Sequence, residues 1–131
     1  MSRKRRFGVS IPEDLARDLD RLASITGVDR SSLVVSALRE YIHDHLHYLE
    51  PHYCMGIMII TGRVDHGRLF KVIEEYRDII HSYSHSHLGD TCLETIIVAG
   101  PSERIACMHK ELADNKCRVR YIPLKTSIRA R

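Results

Sequence analysis

The chain has 131 residues, room for one ordinary domain or two small ones. Its 44% apolar content supports a packed core and excludes a disordered tail, and its longest apolar stretches, Ile57 to Ile60 and Ile96 to Ala99, fall far short of a membrane span. Charged residues make up 28% with a net charge of only +3, but basic side chains gather at the ends: Arg3, Lys4, Arg5 and Arg6 at the start, Lys125, Arg129 and Arg131 at the finish. Such an arm suits nucleic acid or an anionic membrane surface, and taken alone reads as a solubilising terminus. No apolar run follows the charged N-terminus, so the expectation is a soluble, cytoplasmic protein without a secretory signal and without a membrane partner. Cys54, Cys92, Cys107 and Cys117 show no CxxC spacing, which argues for thiols or ligands rather than a disulfide framework or zinc ribbon. Seven of the nine histidines cluster, His43, His45, His47 and His52 in one group and His81, His85 and His87 in another, a compositional pointer to metal.

In residues 4 to 11, Phe7, Val9 and Ile11 alternate with Lys4, Arg6, Gly8 and Ser10, the period of a strand with one buried face. Pro12, Glu13 and Asp14 suit the first turn of a helix, Leu15, Leu19 and Leu22 give it one apolar stripe, and Gly27 ends it. Asp29 caps a second helix, with Arg30, Ser31 and Ser32 in its first turn and Leu33, Ala37, Leu38, Tyr41 and Ile42 on its apolar face. That helix is expected to run out through His47. A lone strand leaves backbone groups unpaired, so the strand is expected to pair with its copy in a second chain as an obligate homodimer.

Glu50, Pro51 and His52 read as a linker between a domain at 1–48 and another at 53–131. Beyond it, Tyr53 to Val64 reads as a strand and Asp65 to about Ile80 as a helix with Leu69, Val72, Ile73 and Tyr76 on one side. Strands follow at His81 to Leu88 and Cys92 to Ala99, then a helix over Ser102 to Asn115 and a strand over Cys117 to Leu124. The order βαββαβ is ferredoxin-like, so the expected class is α+β.

The run His85-Ser-His-Leu-Gly-Asp-Thr-Cys-Leu-Glu94 carries the densest chemistry. Glycine at the first central position of a two-residue turn suits a type II′ hairpin centred on Gly89-Asp90. That register sets His87 opposite Cys92 and His85 opposite Glu94, all on one face, with opposed side chains roughly 5 Å apart at Cβ. Two imidazoles and a thiolate then converge as metal ligands. His43 and His47, at i and i+4, are a weaker second pair, better read as a polar helix end.

The stretch Arg6-Phe-Gly-Val-Ser-Ile-Pro-Glu-Asp-Leu15 with Gly27-Val-Asp-Arg-Ser-Ser32 resembles the ribbon-helix-helix family, and the whole chain resembles the nickel-responsive regulator (NikR) family. The first resemblance implies that two antiparallel strands enter the major groove of double-stranded operator DNA. There Lys4, Arg6, Gly8 and Ser10 face outward and Arg6 reads guanine O6 and N7. Asp29 to Ser32, with Arg30, Ser31 and Ser32, point a helix N-terminus at a phosphate. The second resemblance, carried by His85, His87 and Cys92-Leu-Glu94, implies Ni(II) in a square plane closed by a histidine of a neighbouring subunit. It also implies an ACT-type domain that joins two DNA-binding dimers into a homotetramer. Nickel fits imidazole and thiolate donors, and another divalent transition metal fits them as well. The spacings around His85 are shorter than the family's. Anchoring from the helix gives Asp78 as the fourth ligand, anchoring from His85 gives Glu74, and His81, which lies between the helix and His85, is the favoured choice.

The expected function is therefore a metal-responsive repressor, not an enzyme. Cys92 near His87 suits a metal better than a nucleophile with its base, and no phosphate-binding loop or paired carboxylate cleft is visible. The competing readings are a repressor that answers to a small-molecule effector and a metal-independent ribbon-helix-helix protein. The operator sequence and the regulated genes are not legible.

Overall fold

A computed structural model describes residues 3–113 and 117–127. Asn115, the expected end of a helix, and Arg129 and Arg131 of the basic end lie outside the described residues. The chain divides into two compact units, Met1–Glu40 and Tyr41–Arg131.

In the first unit, residues 3–12 form no ladder in the single chain, and Phe7, Val9 and Ile11 are exposed. The expected strand is thus not formed here, because a strand needs a second strand to satisfy its amides and carbonyls. Pro12 sits one position outside helix α1 (Glu13–Thr26) rather than in its first turn. Gly27 ends α1 in the left-handed conformation at φ 74°, its N–H bonded to the Ala23 carbonyl at 2.9 Å. Only glycine takes that conformation without strain. Asp29 caps α2 (Arg30–Asp44): its carboxylate accepts the Ser32 amide at 3.0 Å and the Ser32 hydroxyl at 2.8 Å. Those bonds hold the Asp29 carboxyl below its usual range. Neither helix buries a residue, and Leu15, Leu22, Val35 and Leu38 stay exposed. An apolar stripe of that kind has not found its cover within the unit.

The second unit contains a four-stranded antiparallel sheet ordered β2-β3-β1-β4, from β1 (Tyr53–Gly62), β2 (Ile80–Leu88), β3 (Thr91–Pro101) and β4 (Cys117–Ser127). On one face of β1, Cys54, Met58 and Ile60 are buried. They pack with Leu69 and Val72 of α4 (His66–Glu75) and Ile105, Met108 and Leu112 of α5 (Ser102–Ala113). Met55, Ile57 and Ile59 on the other face are half-buried. Gly56 is required where it stands, since a Cβ there would lie 2.5 Å from the Tyr121 ring.

Strand ends differ from the sequence reading by one to three residues, and two helices end earlier than it has them. Helix α4 stops at Glu75, short of Ile80, because Tyr76 and Ile79 both turn into the core through a tight bond from the Ile79 amide to the Tyr76 carbonyl at 3.0 Å. Arg104 braces this corner: it binds Asp78 at 2.6 Å and the Glu75 carbonyl at 3.1 Å, with its guanidinium 4.3 Å from the centre of the Tyr76 ring. The second helix breaks at His45, whose amide bonds back to Ile42 at 3.0 Å, and the short α3 (Leu46–Leu49) follows. The break takes His47 out of the helix that carries His43. His43 stays exposed beside Asp44, whereas His47 is buried against the Tyr121 ring and bonded to His109 at 3.0 Å.

Burial pushes His47 down to about 3 and His109 down to about 4, so both rings are neutral. In the unfolded chain a histidine titrates at about 6.5. Between these values the unfolded state takes up protons that the folded state refuses, so stability is full above about pH 6.5 and falls as the pH drops. The expected outcome is a urea midpoint lower at pH 5 than at pH 7, with the drop reduced in His47→Gln.

Candidate metal centre and DNA-reading segment

Strands β2 and β3 join through Gly89-Asp90, and Gly89 has φ 64° while no described non-glycine residue has a positive φ. This is the expected two-residue turn, with positive φ at its first central position only. Leu88 pairs with Thr91, His87 with Cys92 and His85 with Glu94. The pairing sets those four chemically active side chains on one face.

Glu94 anchors the group. It is fully buried, between the Tyr83 hydroxyl, which donates to Oε1, and His85 Nδ1, 2.6 Å from Oε2. Burial opposes its charge, but the bonds from Tyr83 and His85 outweigh that and hold the carboxyl below its usual range. In turn, burial and the Glu94 carboxylate push the Tyr83 hydroxyl up, so it remains a donor. A carboxylate can only accept, so His85 in its neutral form carries its proton on Nδ1 and leaves Nε2 as a lone pair. That Nε2 lies 3.0 Å from His87 Nε2, and His87 Nδ1 lies 3.7 Å from Cys92 Sγ. Without metal the protons therefore run in a chain, from the Cys92 thiol to His87, from His87 to His85, and from His85 to Glu94. Two imidazole lone pairs and an ionisable thiol on one face are donors suited to Ni(II). A carboxylate behind the first imidazole is the outer support that fixes a ligand's tautomer.

Sequence reasoning missed His66. It opens α4, capped by Asp65, whose side chain accepts the Arg68 amide at 3.2 Å. His66 Nε2 lies 3.5 Å from Glu94 Oε2, is itself buried, and has no hydrogen-bond partner among the described residues. Its ring stands edge-on to His85 at 5.3 Å. His66, His85, Cys92 and Glu94 each offer one ligand atom, all within 4.8 Å of one another. The usable signal is register: Ile60 pairs with Glu94, so residues that leave the end of β1 pass beside it.

The other candidate ligands lie apart from this group. His81 is exposed at a bulge between Ile80 and Ser82, Asp78 is bound by Arg104, and Glu74 is 2.7 Å from Arg77. In the first unit Lys4, Arg6, Gly8 and Ser10 are all exposed on the extended segment. Arg30, Ser31 and Ser32 open α2; Ser32 serves the Asp29 cap and Arg30 pairs with Asp20 at 3.1 Å.

A strand-forming basic segment before two short helices, followed by a hairpin of imidazole and thiolate donors, defines a metal-dependent DNA-binding regulator. Residues 3–45 match the ribbon-helix-helix domain and residues 66–126 match the NikR C terminal nickel binding domain. The chain belongs to the nickel-responsive regulator family. A relative named as a nickel-responsive regulator from Methanocaldococcus jannaschii is 35% identical over 121 residues, 87% of this chain and 83% of that one. Another, from Dictyoglomus turgidum, is 33% identical over 85% of this chain and 87% of its own. A third, from Thermococcus kodakarensis, is 31% identical over 83% and 80%. An uncharacterized protein of Thermotoga maritima shares the fold alone, with TM-score 0.51 and 13% identity over 56% of this chain and 99% of that one. Among the described residues no helix is long and apolar enough to cross a membrane.

The buried carboxylate gives the centre a testable dependence. Glu94→Gln keeps the shape but offers His85 only a neutral acceptor, so metal affinity measured against a chelator should fall by about 10–100-fold.

Proposed function

We propose that the protein is a nickel-responsive repressor of transcription. Its residues 1–48 read palindromic operator DNA as a homodimer, and its residues 53–131 form an ACT-type sensor that assembles the dimers into a homotetramer. The observation that carries this reading is the β2–β3 register, which brings His85, His87 and Cys92 onto one face with Glu94 behind His85. These three side chains would hold the metal, and the fourth ligand would come from a neighbouring chain. Ni(II), when bound, supplies a bond to each of these donors and so ties chain to chain. His81 is favoured as the neighbour's ligand because it is an imidazole exposed on an edge strand, whereas Asp78 and Glu74 are engaged by Arg104 and Arg77. Dimer formation through the ribbon is supported by the uncovered stripes of α1 and α2 and by the unpaired segment at 3–12.

Within the ribbon, Lys4, Arg6, Gly8 and Ser10 face the groove, with Arg6 the base reader. Arg30, Ser31 and Ser32 place a helix N-terminus against a phosphate. A dimer reads its site twice, so the operator is a palindrome.

Two experiments test these assignments. Cys92→Ser should abolish thiolate-to-metal absorption and metal-dependent DNA binding, and His81→Ala should weaken both metal affinity and the DNA response. Retention of the response in His81→Ala together with its loss in Asp78→Ala or Glu74→Ala would move the fourth ligand. On the DNA side, Arg6→Ala should weaken binding at the best operator by about 1–3 kcal/mol and relax base preference at one step, as read by gel shift over a panel of single-base variants. Lys4→Ala should instead weaken all sequences alike and flatten the salt dependence.

A further inference from the structure

The donor group contains more than the hairpin ligands need. His85 turns a different ring nitrogen to each of two sets of neighbours. Its Nε2 faces His87, 3.0 Å away, and its Nδ1 faces Glu94, 2.6 Å away, with His66 Nε2 3.5 Å beyond on the same carboxylate oxygen. We infer that His66, Glu94, the Nδ1 side of His85 and Cys92 form an inner cation position, overlapping the outer set of His85, His87 and Cys92 and mutually exclusive with it. The inner position takes Zn(II) or Co(II) within a single chain. This inference rests on the reading of the hairpin as the metal site.

Three features support it. The first is spacing: ligand atoms about a four-coordinate ion with bonds of roughly 2.0–2.3 Å sit roughly 3–4 Å from one another. One ligand atom from each of His66, His85, Cys92 and Glu94 lies within 4.8 Å of the others before any ion has drawn them in, and His85 Nδ1 and His66 Nε2 both stand beside Glu94 Oε2, at 2.6 and 3.5 Å. The second is His66 itself. Its Nε2 is buried without a hydrogen-bond partner among the described residues, although a carboxylate oxygen stands 3.5 Å away. A buried nitrogen without a partner is costly unless something occupies it, and a cation between His66 and Glu94 would. The third is charge. A thiolate and a carboxylate cancel a divalent ion, whereas the outer set brings one thiolate and leaves a positive charge. Glu94 is fully buried, and a buried carboxylate favours a cation that cancels its charge.

Exclusion follows from the chemistry of His85. A neutral imidazole has one lone pair. Outer binding through Nε2 keeps the proton on Nδ1, where it is donated to Glu94. Inner binding through Nδ1 moves the proton to Nε2, which then points a donor at His87. Cys92 is common to both sets. The four inner donors belong to one chain, so an ion held there ties no second chain. The hairpin thereby sorts ions: one that accepts the outer set recruits a neighbouring chain, and one that prefers a tetrahedral set with a carboxylate is held without doing so.

The test is competition binding of Ni(II), Zn(II) and Co(II) to the full chain against a chelator, with Co(II) absorption as a report of coordination. His66→Ala and the milder His66→Gln should shift the Zn(II)-to-Ni(II) affinity ratio towards nickel by about 10-fold or more, and His87→Ala should shift it about as far towards zinc. The intense visible bands of four-coordinate Co(II) should weaken in His66→Ala and persist in His87→Ala. A ratio unchanged in both His66 variants, or equal losses of all three metals, would overturn the inner position and leave His66 and Glu94 as supports of His85. A Cys92→Ser protein that binds all three metals with unaltered spectra would instead overturn the hairpin reading itself.

Discussion

The metal centre depends on the pairing of β2 with β3, and that pairing depends on a turn of two residues. Gly89 alone takes the positive φ at the bend, and Asp90 completes it. Because side chains alternate across a strand, a slip of one residue would send His85 and His87 to the opposite face and bring serines in their place. The register also sets His85 on Glu94, whose charge is stabilised in a fully buried position by Tyr83 and His85. One turn thus determines which donors meet, and one carboxylate determines which nitrogen of His85 is offered.

Much of this was legible from local rules. Alternation in the hairpin, glycine at the turn and the Asp29 cap each depend on residues a few positions apart, and each appears where those rules put it. Three features depended on distant contacts and were not legible. Helix α4 ends early although Tyr76 continues the spacing of Leu69 and Val72, because Tyr76 and Ile79 are drawn into the core and Arg104 braces the turn from α5. The break at His45 has no glycine or proline to announce it. His66 reads as an ordinary first residue of a helix, and only the pairing of Ile60 with Glu94 brings it to the site. The strand at 4 to 11 is a different case: its pattern is clear, but one chain offers it no ladder.

Each unit leaves apolar surface open. In the first, the stripes of α1 and α2 have no buried member. In the second, one face of the sheet is closed by α4 and α5 while Met55, Ile57 and Ile59 on the other stay half-covered. Surface of this kind is stable only when association covers it.

The bulge at His81 has a consequence for how the gene can change length. Ile80 pairs with Val98 and Tyr83 with Ile96, so two residues three apart share the core face of β2. The extra residue resets the alternation between them. Because the bulge absorbs it, Tyr83, His85 and His87 follow on the face of Glu94; in an unbulged strand with the same residues, Ser82, Ser84 and Ser86 would occupy that face as long as Ile80 held its place. A single-codon deletion at His81 would remove the bulge and leave Tyr83, His85 and His87 on the same face, whereas a deletion of Ser84 would turn His85 and His87 away as long as Tyr83 held its place. Insertions and deletions in this segment are tolerable in pairs, or where a bulge absorbs the odd one, and His81 marks the place where this chain has already done so.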